Sequence, residues 1–265
     1  MRRFFEISAE QVESTWAPTA KPAPYTLGDV AYCNDHGRVG LFRFSKNYQG
    51  GALSLGHLLT MPDRSATNFE QGDLKYTAAT KSDPASVAGN TDVVSTAVTE
   101  NEYAGLIMAI TLGTGVSQFA QITGNKAAAA STDKLTCYLS RSFTTTLADT
   151  DDYGIIPLDH CVKVTEDGQI VTGVAPVAVA STYYFWRQIA GLCFVILEDG
   201  VSIVGTDAFT FGACDGTDGE GLVRNADGED FDNQPDFTGI TIIKKNSDAH
   251  TPAVAFIRCL ASMPF

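Results

Sequence analysis

The chain has 265 residues, of which 44% are hydrophobic and 18% charged, with a formal net charge of -13. That is long and apolar enough to bury a core without disulfide or metal staples, and too apolar for a disordered chain. The acidity excludes general nucleic-acid binding and adhesion to an anionic membrane surface, both of which need clustered Lys and Arg.

The opening, MRRFFEISAEQ, is basic like a signal peptide, but Glu6 and Glu10 interrupt it before an apolar segment forms. Nowhere does the chain reach the roughly 20 apolar residues that span a bilayer as a helix. In EISAEQVEST, Ser8 and Gln11 make a capping box, and Ile7 and Val12 have the spacing of a hydrophobic staple. The prolines of APTAKPAP then force extended backbone. Residues 1–24 are therefore expected to be an arm with one short helix and a stiff tether. Its tip (Arg2, Arg3, Phe4, Phe5) is basic and aromatic, opposite in charge to the rest of the chain, and exposed phenylalanines are a liability in water. The arm is expected to be ordered by another chain rather than packed wholly on its own domain.

From Tyr25 onward the sequence predicts a mainly β protein. GRVGLFRFSK, AGLIMAITLG, VSQFAQITG, KLTCYLSRSF, CVKVTEDGQIVTGVAPVAVA and GITIIKK are rich in Val, Ile, Thr and aromatics and are bounded by Gly, Asn or Asp. NDHGR, TEDGQ and LEDGV carry Gly turns between apolar flanks, a hairpin signal. The fold expected is two linked β-barrel or sandwich-like regions, 25–75 and 102–265. Residues 76–101, polar and poorly periodic, are read as a linker or surface excursion.

The stretch STYYFWRQIAGLCFVILEDG places Tyr183, Tyr184, Phe185 and Trp186 side by side. Tyr183 and Phe185 alternate with Tyr184 and Trp186, so both strand faces are aromatic before Arg187 and Gln188 make both polar. A second strand follows, with Gly191 as the bend between them. A core strand is the first reading, which predicts that Tyr183, Phe185 and Trp186 are buried in the assembled protein. A contact between subunits through those residues, and a stacking platform for sugars, are the alternatives. Further on, the acidic Gly-rich loop 207–239 carries Asp215, Asp218, Glu220, Asp227, Glu229, Asp230 and Asp232. It fits neither the EF-hand loop nor the nonapeptide calcium repeat, so a solvated loop is preferred to a calcium site or a docking surface.

Catalytic patterns are weak. Of four histidines, His36 lies near Cys33 and His160 beside Cys161, but neighbours on a strand point to opposite faces and suit no shared zinc. The six cysteines include no CxxC, and small buried hydrophobes explain them better than a disulfide framework. No GxSxG turn is present, and LGTGVSQF and FGACDGTDGEG lack the Lys-Ser/Thr of a P-loop. Neither an enzyme nor any cofactor or metal is expected.

Between Glu102 and Gly205, GTGVSQFAQITGNKAAAA, GVAPVAV and the YYFW strand ending in Gly-Leu-Cys resemble the decoration, or cement, proteins of tailed-bacteriophage capsids. The resemblance implies a rigid β body with an arm or loops that lie across capsomer seams. It also implies the major capsid protein and copies of itself as partners, and a place on the virion surface after synthesis in the host cytoplasm. It brings no catalytic residue to any position, and the acidic insertion after Asp207 departs from the simpler end of such proteins. Another phage component (tail, neck or baseplate) and a carbohydrate-binding β module are the alternatives. A major shell protein would need a long amphipathic spine helix that this sequence lacks.

Overall fold

A computed structural model describes residues 3–22, 24–62, 71–75, 86–89, 98–113, 116–129, 136–141, 143–144, 152–157, 159–163, 171–196, 210–212, 222–224, 237–243 and 252–259. The protein is mainly β, with one short α-helix near the N-terminus and two sheets. In chain order the elements are β1 (Phe4–Glu6), α1 (Ala9–Val12), β2 (Thr15–Trp16), β3 (Val30–Asp35), β4 (Arg38–Asn47) and β5 (Leu58–Thr60). Then come β6 (Gln71–Lys75), β7 (Ser86–Gly89), β8 (Ile107–Leu112), β9 (Phe119–Asn125), β10 (Thr136–Leu139) and β11 (Asp152–Ile156). The last are β12 (His160–Lys163), β13 (Gly173–Val174), β14 (Tyr184–Ile196), β15 (Thr210–Gly212), β16 (Leu222–Arg224), β17 (Phe237–Ile243) and β18 (Pro252–Cys259).

These elements form two compact units that do not follow the linear division expected from the sequence. One comprises 63–159 with Thr26–Gly28; the other comprises Arg2–Tyr25, Asp29–Pro62 and His160–Phe265. The cause is long-range pairing: β12 lies parallel to β4, and β14 lies antiparallel to it, so the chain after His160 returns to strands laid down before Pro62. Both expected β regions, 25–75 and 102–265, are therefore split between units.

The first unit is a closed barrel in the order β10-β7-β6-β11-β8-β9. Its strands alternate as half-buried strands must: Ala120, Ile122, Cys137 and Leu139 are buried, while Phe119, Thr123 and Tyr138 face out. Residues 76–101 are more than an excursion, because β7 pairs with β6 and β10 to close the barrel. Its sequence, SVAG, is small and lacks the apolar alternation that would announce a strand. Asn125 is the buried polar anchor here. Its Oδ1 accepts from Tyr103 N at 2.8 Å, and its Nδ2 donates to the carbonyls of Thr99 and Lys126.

The second unit is a 12-stranded sheet in which β4, β12, β5, β13 and β14 close on themselves, because β14 also pairs with β4. Leu53, Leu59, Cys161, Ala175, Val179 and Phe185 form a buried cluster in this unit. The NDHGR hairpin is present as expected: Asp35 pairs with Arg38 across His36 and Gly37, whose φ angles of 45° and 82° suit a two-residue primed turn. β14 corrects one expectation. It runs unbroken for 13 residues, and Gly191 is not a bend between two strands but lies within one, in register with Gly40 and just past an irregularity between Gln188 and Ala190.

Candidate interaction surface

The arm docks on its own unit, contrary to the expectation that another chain would order it. The capping box forms as read: Gln11 N donates to Ser8 Oγ at 3.3 Å, and Ser8 N donates to Gln11 Oε1 at 3.0 Å. Ile7 and Val12 are both buried. β1 pairs parallel with β3, and β2 pairs antiparallel with β14. Arg3 bonds Asp29 through its Nη2 at 3.0 Å and its backbone N–H at 3.0 Å, and its guanidinium also donates to the Pro24 carbonyl. What holds the arm is a run of rings. Phe5 meets Tyr25 edge-on with centroids 5.2 Å apart, Tyr25 meets Trp186 at 5.0 Å, and Trp16 and Phe44 complete the cluster. Such pairs add to the apolar burial of each ring. Sequence reading had the arm and the aromatic strand as separate features; it missed Tyr25 and Phe44, which join them.

This places the residues singled out in the sequence. Phe185 and Trp186 are wholly buried and Tyr184 nearly so, whereas Tyr183 is half-buried against the cluster around Leu53 and Phe185. Phe185 and Trp186 are thus core residues, available neither to a partner subunit nor to a sugar. Tyr184 stacks on Phe44 at 5.7 Å and lies under the ammonium groups of Lys21 and Lys46. Burial pulls the Lys21 amine below its ordinary range, and the nearby Asp29 charge opposes the shift. Phe5 is half-buried, and Arg3 is tied to Asp29. Phe4 alone of the described tip is an open apolar side chain, 66% exposed. Arg2 and most of loop 207–239, with its acidic residues, lie outside the described residues.

Polar groups in the core do structural work. Arg187 and Arg43 face each other in register, both buried; Arg187 Nη1 donates to Thr172 Oγ1 at 2.9 Å and to Cys161 Sγ at 3.1 Å. The sequence reading took Arg187 and Gln188 as the polar end of the strand, but both are inside. His160 stacks on Tyr48 with centroids 4.9 Å apart, so it and Cys161 serve different partners. Full burial, and secondarily the Lys46 charge, hold the His160 imidazole well below its ordinary value of 6.5. The sign of the consequence is fixed: below about pH 6.5 the unfolded chain takes up a proton there and the folded chain does not. Stability should fall by up to about 1.4 kcal/mol per pH unit from this group as pH drops from about 6.5 towards 5. Urea titrations of the wild type and His160→Phe, which keeps a ring against Tyr48, should show a shallower slope in the variant. An identical slope would exclude this imidazole as its source. The Cys137 thiol is pushed up to about 12 by burial, so it stays protonated and unreactive near neutrality.

Open surfaces remain on each unit. On the sheet unit, a groove of about 740 Å³ runs between α1, the β3–β4 turn and β14. On its wall Arg38 pairs with Glu13 at 2.9 Å, and beside it Asp35 accepts from the Ala9 N–H at 3.0 Å. On the barrel unit, the β8–β9 hairpin exposes Leu112 (60%), Val116 and Phe119 (49%), with Tyr138 of β10 also exposed. Arg141 braces this hairpin by donating from Nε and Nη2 to the Phe119 carbonyl at 3.1 and 2.6 Å.

No family model, curated protein or solved structure matches this chain. Among the described residues, no helix is long and apolar enough to cross a membrane, and no group of three His, Cys, Asp or Glu side chains is placed to hold a metal ion.

Proposed function

We propose that this is a structural virion protein that binds and stabilises the outer surface of a tailed-phage capsid, with the major capsid protein as its partner. The observation that carries the reading is the braced apolar hairpin of the barrel unit, Leu112, Val116 and Phe119. It lies within the Glu102–Gly205 stretch whose sequence resembles cement proteins. Large side chains on a β-hairpin, held by backbone pairing and by Arg141, are a rigid apolar contact with little entropy left to lose on docking. Repeated over a shell, modest contacts of this kind add to firm attachment, and a ligand of the assembled state alone stabilises that state. The reaction-free reading, with no enzyme activity and no nucleic-acid or membrane partner, belongs to the same proposal. The carbohydrate-platform alternative keeps only Tyr183 of its three rings as a half-buried side chain, because Tyr184 and Trp186 are inside.

The test is the place of the protein in purified particles. Density on the outer shell, with a copy number in fixed ratio to the major shell protein, is the expected result; a few copies at one vertex would assign it to the tail, neck or baseplate instead. The double substitution L112D/F119D should abolish attachment to undecorated particles while leaving the melting midpoint unchanged. Attachment at wild-type affinity would overturn the hairpin as the contact.

A further inference from the structure

The groove between α1, the β3–β4 turn and β14 combines an apolar wall with an acidic one. Leu192, Cys193 and Phe194 of β14 line it, and Phe194 stays 40% exposed although Cys193 and Val195 on either side of it are buried. From α1 and its C-terminal end come Glu10 and Glu13, both exposed and three residues apart, which sets them on one face of the turn. Its volume of about 740 Å³ lies within the roughly 300–1,000 Å³ of clefts that take a ligand. The charges do not balance. Arg38 is matched by Glu13, and Asp35 beside the groove has only His36 near it, at 3.5 Å. Glu10 has no ion pair among the described residues. Arg38 also shows how α1 receives a guanidinium: its Nε and Nη2 both donate to the single oxygen Oε1 of Glu13, at 3.2 and 2.9 Å.

We infer that this groove is a docking site for an extended, arginine-bearing apolar segment of a partner protein, with the guanidinium on Glu10 and the flanking apolar side chains on Leu192 and Phe194. Charge complementarity selects the occupant. A carboxylate beside an open aromatic ring suits arginine better than lysine, because the planar, weakly hydrated guanidinium donates to the one and stacks on the other. The apolar wall selects a protein segment over a small amine. Three consecutive strand residues offer contact along their length, and an extended chain turns alternate side chains to the same side, so an arginine and its apolar neighbours two residues away enter together. A second copy of this chain is disfavoured, since two bodies of net charge -13 repel, whereas the same field draws a basic segment in. This inference does not depend on the capsid reading, whose contact hairpin belongs to the barrel unit while the groove belongs to the sheet unit.

The experiment is an amide NMR titration of the full isotope-labelled chain with the peptide acetyl-Leu-Ser-Arg-Ser-Leu-amide, and with the same peptide carrying citrulline, the neutral isostere of arginine. The arginine peptide should shift the amides of Glu10, Gly37 and Phe194 and their neighbours at millimolar concentration, and the citrulline peptide should bind roughly tenfold more weakly. Glu10→Gln should weaken the arginine peptide by about the same factor and leave the citrulline peptide unchanged, the coupling that a direct pair requires. Phe194→Thr should weaken both peptides; if that variant does not fold, Glu10→Gln decides alone, because Glu10 is exposed and its replacement leaves the core untouched. Groove amides that do not move, shifts centred elsewhere, or equal binding of the two peptides would each overturn the inference. Groove shifts that follow protein concentration without any peptide would give the site to a second copy and overturn it as well.

Discussion

Trp186→Ala is expected to lower the melting midpoint by roughly 6–20 °C, the largest effect of any single side-chain truncation considered. Trp186 is wholly buried and meets Tyr25 at 5.0 Å and Phe44 at 5.1 Å, so removing the indole opens a cavity and takes one ring contact from each of them. Core Trp truncations cost about 3–5 kcal/mol, and at this chain length each kcal/mol moves the midpoint by about 2–4 °C. Because Tyr25 also contacts Phe5 and Trp16, the arm should loosen with the core. Proteolysis within residues 1–24 is therefore expected to quicken in the variant. Normal melting with loss of glycan binding alone would instead restore the idea of a stacking platform.

Gly191→Ala is expected to destabilise the sheet unit nearly as much, although it adds a single methyl group. Gly191 has φ of +106°, a conformation that side-chain-bearing residues rarely adopt, and it faces Gly40 across the β4–β14 pair. An added Cβ would run into the Val39 carbonyl and lie 2.6 Å from Gly40 Cα. Backbone strain of this kind costs about 1–3 kcal/mol before the steric clash is counted. Gly50→Ala is the control, since a Cβ there meets nothing within 4 Å. Thermal melts of the two variants should differ by several degrees, and equal midpoints would show that the β4–β14 pair relaxes around the added methyl at no cost.

The elements that proved legible are those fixed by neighbours in sequence. Ser8 and Gln11 announce the helix start, His36-Gly37 the tight hairpin, and the Phe-rich run of β4 a strand buried along most of its length. Long-range choices left no local trace. Nothing near His160 states that β12 will lie parallel to β4, and nothing in SVAG states that β7 will close a barrel. Arg187 misled for the same reason: composition places arginine at the surface, whereas the pairing of β14 with β4 sets it inside opposite Arg43, with Thr172 and Cys161 supplied from elsewhere. The surface was half legible. Phe4 is read as an open side chain and is one; Phe185 and Trp186, read first as core and alternatively as a contact between subunits, are core.

The interleaving of the two units bears on how the chain is made. All barrel strands lie between Gln71 and Ile156, a continuous stretch that can pair as soon as it leaves the ribosome. β4 has no such choice. Its partner β14 is complete about 150 residues later, which at about 5–20 residues per second is roughly 7–30 s of synthesis. For that interval the apolar residues Phe42 and Phe44 wait without the strand that will cover them, a window in which a holding chaperone or a neighbouring nascent chain competes for the same edge. Slowing elongation beyond residue 62 should therefore increase the fraction that aggregates, whereas slowing it before Arg38 should have little effect.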